Sequence, residues 1–385
     1  MKDFFNEEAE TSCSVQLKTA SIDEYNAFDN PTENRDYNES YKEIVPQIEL
    51  DGCKLPNIPS EEEKKRIRRF YNIAGGGIAF HFLLSQVLSN AFNLIVMLII
   101  MFINNISLSE FTGEMGNRIL QYTQTSSIAP AITLLTYLTV NLTVFFFGIK
   151  IAGFKFRSLF RTSELTMRKT LQYVFIALFM HYIIGILINI VQMLMSGTDV
   201  MGTSTSLTSY YSPKYAILSM MYACIVSPVT EELLYRGFVM KCFSRVSQRF
   251  GILISAFFFG LSHGNIAQFM LAFAVGIFMG YIDIKHNSVL PSIIVHIVIN
   301  MVATGSTLVQ NYFMDNITIF TVFNYAVILL AAIGLVMFIV FCKNNIFPKS
   351  DIRQQFRCKN IAVTSIGTII AAIIYLTFTL YITFR

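Results

Sequence analysis

Glu231 and Glu232 open the string Glu231-Glu232-Leu-Leu-Tyr-Arg236-Gly237 at the edge of a long apolar stretch. A charge at or in a bilayer costs about 2.5 to 3.5 kcal/mol on insertion scales, so such residues are kept where they face a polar interior and carry function. Downstream, His263 follows Phe259 by one helical turn, and His296 and Asn300, also one turn apart, share a helix face. Two carboxylates, two imidazoles and an amide in three neighbouring apolar segments supply a base, polarising groups and a buried setting. Those are the parts of a hydrolytic site.

Part of this pattern has a plain structural reading. Glu232 and Arg236 are i, i+4 neighbours in the favourable order, and an ion pair worth a few tenths of a kcal/mol accounts for them alone. Arg236 does not neutralise both acids, which leaves Glu231. Pro228 predicts a kink before the glutamates, so that they begin a new helix whose first turn favours negative charge. Seven of the nine acids beyond residue 63, Asp283 among them, fall in loops or at span ends within reach of water. His81, His181 and His286 lack acidic neighbours or lie in a loop, and read as structural.

The familiar hydrolase signatures fail. No histidine is followed by Glu, which excludes the His-Glu-x-x-His zinc helix. An intramembrane aspartyl site needs two buried aspartates, and only Asp283 is near a span. Gly260-Leu-Ser262-His263-Gly264 fits Gly-x-Ser-x-Gly, a motif that depends on a strand-to-helix turn.

The elements that must position these residues are membrane helices. With 54% hydrophobic residues, 14% charged and a mean hydropathy of +0.52, the 385-residue chain is all-α and polytopic. Apolar windows predict about eight or nine transmembrane helices, near 74–103, 128–149, 171–195, 213–229, 251–263, 266–284, 288–304, 317–342 and 361–384. The fifth is too short to cross; it starts earlier, near Val246, or stops partway, with the next helix beginning at depth. Gly276-x-x-x-Gly280 permits close helix contact.

Basic residues alternate between loops: Lys64 to Arg69 before the first span, Lys150 to Lys169 after the second, Arg236 to Arg249 after the fourth, Lys285 after the sixth and Lys343 to Lys359 after the eighth. The positive-inside rule then places the N-terminus in the cytoplasm and, with nine spans, the C-terminus outside. The first 60 residues hold 13 Asp/Glu against 5 Lys/Arg and no apolar run, which predicts a disordered acidic cytoplasmic tail over 1–62. Residues 63–212 and 306–385 read as transmembrane scaffold on either side of 213–305, where the polar residues gather. The net charge of +4 averages an acidic tail and basic loops, and neither suggests nucleic acid. Six scattered cysteines show no metal or disulfide spacing.

Taken in order, Glu231-Glu232-x-x-x-Arg236, Phe259-x-x-x-His263 and His296-x-x-x-Asn300 resemble the CAAX protease and bacteriocin-processing family of intramembrane endopeptidases, which includes the type II CAAX prenyl endopeptidases. The likeness covers about residues 213 to 305. It implies that Glu231 is the catalytic glutamate, that His263 helps it activate a water, that His296 and Asn300 polarise the scissile carbonyl, and that Glu232 and Arg236 orient the site. Glu231, His263 and His296 also form a set able to ligate a catalytic zinc. The metal-free route is favoured because no oriented outer partners for such ligands are visible in the sequence.

The reading is an integral membrane endopeptidase, in the cell membrane if the source is bacterial, cutting membrane-associated peptides, prenylated or leader-type, through a site open to the cytoplasm. The rivals are a non-catalytic immunity or scaffold protein of the same fold, and a proton-coupled transporter.

Overall fold

The computed structural model describes residues 61–107, 112–126, 128–160, 165–194, 216–245, 247–344, 360–362 and 364–383. The predicted tail lies outside the described residues, apart from its last two positions, which begin the first helix. Every regular element among the described residues is helical: α1 (Glu61–Ile103), α2 (Gly113–Thr125), α3 (Ile128–Ala152), a 3-10 turn (Phe156–Phe160), α4 (Met167–Leu194), α5 (Ala216–Phe243, in five segments), α6 (Gln248–Leu261), α7 (Ile266–His286), α8 (Leu290–Phe313), α9 (Ile317–Asn344) and α10 (Ile366–Thr383). Eight of these helices are long and apolar enough to cross a membrane. The protein is a polytopic membrane helix bundle.

α6 is the exception. It starts at the Ser247 cap, whose side chain accepts from Phe250 N, and its 14 residues rise only about 21 Å. It begins close to the earlier start expected near Val246 and is still short of a full span. α7 begins behind its own cap, Asn265, which accepts from Gln268 N.

The fourth span departs furthest from expectation. The helix does not end near residue 229, and the glutamates do not begin a new one. α5 runs through Pro228 to Phe243 as Ala216–Met221, a π segment Tyr222–Val226, Ser227–Glu232, a second π segment Leu233–Met240, and Lys241–Phe243. In the first π segment Ser227 N reaches back five residues to Tyr222 O. The wider register absorbs the proline ring that would otherwise break the helix. Arg236 and Lys241, expected in a loop, are therefore inside α5 and fully buried.

The basic ends of the helices converge. Arg245 stacks over Phe70 of α1, 4.3 Å from the ring centre, and also over Phe154 beyond α3. Leu159 O accepts from Val289 N and Ser288 Oγ in the α7–α8 turn. Small residues set the close crossings elsewhere. A Cβ on Gly75 of α1 would lie 2.3 Å from the Gly367 backbone in the first turn of α10, and one on Gly334 of α9 would lie 2.0 Å from Phe175 O of α4. Gly276 and Gly280 give α7 the flat face on which α5 and α6 rest.

Candidate active site

The two adjacent glutamates have opposite surroundings. Glu232 keeps none of its side-chain surface, whereas Glu231 keeps 19% and lines a cavity of about 520 Å³. Glu232 Oε1 accepts from Arg236 Nη1 at 3.0 Å, one turn along α5, and from His296 Nδ1 at 2.8 Å on α8. Arg236 is held further by Gly276 O and by the Phe259 ring, whose centre is 4.3 Å from the guanidinium carbon. The i, i+4 ion pair expected from the sequence is thus a buried bolt that joins α5 to α6, α7 and α8. Its attraction is far less screened than on a surface, and each charge depends on the others.

The bolt fixes His296. Because the Glu232 carboxylate can only accept, Nδ1 carries its proton and Nε2 faces Glu231, whose Oε2 is 3.9 Å away. Glu231 itself accepts a short hydrogen bond from Ser227 Oγ, one turn earlier. His263 sits in the turn after α6 with Nδ1 donating to Phe259 O at 2.9 Å, which leaves Nε2 for the cavity it lines. Phe259 packs edge-on against both histidines, at 5.1 Å and 5.7 Å between ring centres. That contact gives the aromatic of the Phe259-x-x-x-His263 pair a role.

Asn300 closes the arrangement. Pro228 has no N–H to return to Ala223 O five residues before it, and Asn300 Nδ2 donates there instead at 2.7 Å. One amide hydrogen thus stitches α8 to the π segment, while the side chain still lines the cavity. The structure brings Glu231, His263, His296 and Asn300 around one cavity, with Glu232 and Arg236 directly behind.

The sequence missed a second polar chain that reaches the site from the helices read as scaffold. Thr230 Oγ1 donates to Val226 O and accepts from Asn141 Nδ2 of α3 at 2.8 Å. Asn141 Oδ1 therefore accepts from His81 Nε2 of α1 at 2.7 Å, and His81 Nδ1 accepts from Tyr375 OH of α10 at 2.9 Å. His81, Asn141 and His181 of α4 all line the cavity. Asp283, expected within reach of water, is fully buried; its carboxylate accepts from Ser292 N and Oγ and caps the first turn of α8.

The zinc alternative can be weighed on these contacts. Each histidine has the outer partner typical of a metal ligand, Glu232 for His296 and the Phe259 carbonyl for His263. Their invisibility in the sequence was the ground for favouring a metal-free route, and that ground is gone. Among the described residues, however, no three His, Cys, Asp or Glu side chains converge closely enough to hold an ion. As placed, the donor set does not fit zinc.

The cavity is closed toward the basic loops and open away from them. Tyr235, Phe259, Met279 and His296, on the side of those loops, are buried, whereas Thr133, Tyr137, Tyr222, Gln268 and Thr307, toward the opposite helix ends, are half-buried or exposed. Eleven residues of α5 lie between Glu231 and Phe243 on the closed side, about 18 Å of helix from one to the other.

No curated protein and no solved structure matches this chain. Residues 213–302, from just before α5 to the middle of α8, match the family model described as Rce1-like, type II CAAX prenyl endopeptidase Rce1-like.

Proposed function

We propose that the chain is an intramembrane endopeptidase that hydrolyses peptide bonds with a water activated by Glu231. The observation that carries this reading is the division of labour between neighbouring glutamates: Glu232 is consumed by Arg236 and His296, while Glu231 is left facing the cavity. The family matched by residues 213–302 is a protease family and supports the same conclusion.

In this mechanism Glu231 takes a proton from the water, and His263 Nε2 accepts the second O–H and orients it. The hydroxide oxygen bonds to the carbonyl carbon as the C=O pair moves onto oxygen. His296, held by its Nδ1–H on Glu232, presents its Nε2 edge to that oxygen, and as an imidazolium it donates there. The amide hydrogen of Asn300 not used by Ala223 O is the second donor. Glu231 then returns its proton to the amide nitrogen, the C–N bond breaks, and an acid and an amine leave. Donors held in place in a water-poor site stabilise the developing charge better than water does.

The substrates are membrane-associated peptides, prenylated or leader-type. A peptide-library cleavage assay on purified full-length protein in liposomes, with Glu231→Gln alongside and elemental analysis of the same sample, tests the reading. Cleavage by the parent and none by the variant supports it. Zinc near one per chain, with activity lost on chelation and restored by zinc, replaces the water-only mechanism. No cleavage of any peptide hands the chain to the non-catalytic alternative.

A further inference from the structure

The direction of the cavity carries information about substrate that the catalytic residues do not. On α5 its lining runs from Tyr235 to Tyr222, and on α8 from His296 to Thr307. These stretches of 14 and 12 residues span about 20 Å and 17 Å at 1.5 Å per residue step. On both helices the run leads away from the end that carries the basic loops. Thr133 and Tyr137 on α3 and Gln268 on α7 also lie near the ends remote from Lys150 and Lys285.

The lining changes character along the way. Beyond the carboxylate floor it offers hydroxyls and amides from Thr133, Gln268, Thr304 and Thr307. His181 Nδ1 is buried without a hydrogen-bond partner in this stretch. Leu271, Val275, Ile299 and Ala303 line the same cavity, so it offers hydrogen-bonding groups for a peptide backbone beside apolar surface for its side chains. Behind Glu231, by contrast, Arg236, Phe238, Val239 and Met240 are fully buried. A peptide approaching from the basic end would have to pass through packed core.

We infer that the peptide reaches Glu231 from the membrane side opposite the basic loops, which under the positive-inside rule is the non-cytoplasmic side. The substrate class is then a peptide segment emerging on the outer face, rather than a lipid-anchored tail presented from the cytoplasm. This rests on the endopeptidase reading for what is cut, but not for where the cavity opens.

The test uses the full chain in its native membrane. Thr307→Cys and Gln268→Cys mark the mouth, Lys285→Cys marks the basic end, and each is treated with a membrane-impermeant maleimide in right-side-out and inverted vesicles, with the parent chain as baseline. Labelling above baseline of the two mouth positions in right-side-out vesicles only, and of Lys285→Cys in inverted vesicles only, is the expected result. Mouth positions labelled in inverted vesicles overturn the inference, whichever way Lys285→Cys reacts. Mouth positions that label in neither preparation in a normally inserted protein overturn it too, because the cavity would then be closed to both aqueous sides. In the same vesicles, an impermeant peptide from the library should be cut only when the outer face is exposed. Sided labelling without any cleavage leaves the inference standing and removes the endopeptidase reading; cleavage from the inverted face alone does the reverse.

Discussion

α5 and α9 each supply 27 residues to a membrane span, yet they are built on different principles. α9 is unbroken, apolar along its length and fastened to α4 by the close approach of Gly334 to the Phe175 carbonyl. α5 changes register twice, buries a glutamate, an arginine and a lysine, and is tied by polar contacts to α3, α7 and α8. Shape alone holds a helix among lipids, whereas a helix that carries chemistry needs its side chains held at fixed angles. The π segments supply that. Each shifts the side-chain register, and the first also frees the carbonyl that Asn300 takes up.

The largest effect should come from Glu231, the carboxylate on α5 that Arg236 does not pair and that faces the cavity. Glu231→Gln keeps the shape and removes the base, and general-base contributions of about 100- to 10,000-fold set the expected loss in turnover. Expression and insertion, read by detergent extraction and size-exclusion profile, should match the parent. Loss of insertion would make Glu231 a structural residue like Glu232.

Next is the bolt itself. Arg236→Met leaves Glu232 buried without its cation, and breaking one side of a buried pair costs about 3 to 5 kcal/mol. Thermal unfolding in detergent should show a strongly destabilised protein. An unchanged melting temperature would mean that α5 is held by apolar packing, as α9 is, and the contrast between the two helices would collapse.

His296→Ala and Asn300→Ala test the donors. Removing one oxyanion donor costs about 2.7 to 4 kcal/mol in the barrier, seen in kcat more than in KM. Asn300→Ala carries an added stability loss, since Ala223 O is orphaned, and His296→Ala strips Glu232 of one partner. Normal kcat in both variants would defeat the assignment of these two residues.

On α9, Gly334→Ala places a Cβ against a backbone carbonyl that cannot swing aside. Overpacking of this kind costs about 1 to 3 kcal/mol. Unfolding should shift while the kcat of the folded fraction stays the same. A kcat that fell with it would show that the scaffold transmits strain to the site.

These contrasts were unevenly legible in the sequence. Hydropathy and the run of polar types were enough for the helical class, most of the spans and the cavity residues Glu231, His263, His296 and Asn300, because each depends on local composition or one-turn spacing. The continuation of α5 through Pro228 was hidden, since a proline in an apolar run marks a break unless the register widens, and nothing in the string Val226-Ser-Pro228-Val announces that. His81, Asn141 and Tyr375 were hidden by distance: their contacts join residues 60 and 294 apart. The direction of the cavity depends on how α3, α5, α7 and α8 splay, which no single segment encodes.

The smallest effect belongs to Ser262, the residue a motif search would favour. Its hydroxyl donates to Phe259 O at 2.7 Å, and His263 Nδ1 donates to the same carbonyl, so the two side chains share the capping of α6 rather than forming a nucleophile and its base. A histidine whose Nδ1 gives its proton to a backbone carbonyl has no carboxylate behind it to support an imidazolium, which a serine mechanism requires. The turn also follows a helix, not a strand, with Gly264 at φ +75°. Ser262→Ala should therefore lower stability by about 1 kcal/mol, the worth of one hydrogen bond. Turnover and insensitivity to serine-directed covalent inhibitors should be those of the parent. If a folded Ser262→Ala protein lost turnover as completely as Glu231→Gln does, the nucleophile would move from a water to that serine, and the division of labour on α5 would have to be explained without catalysis.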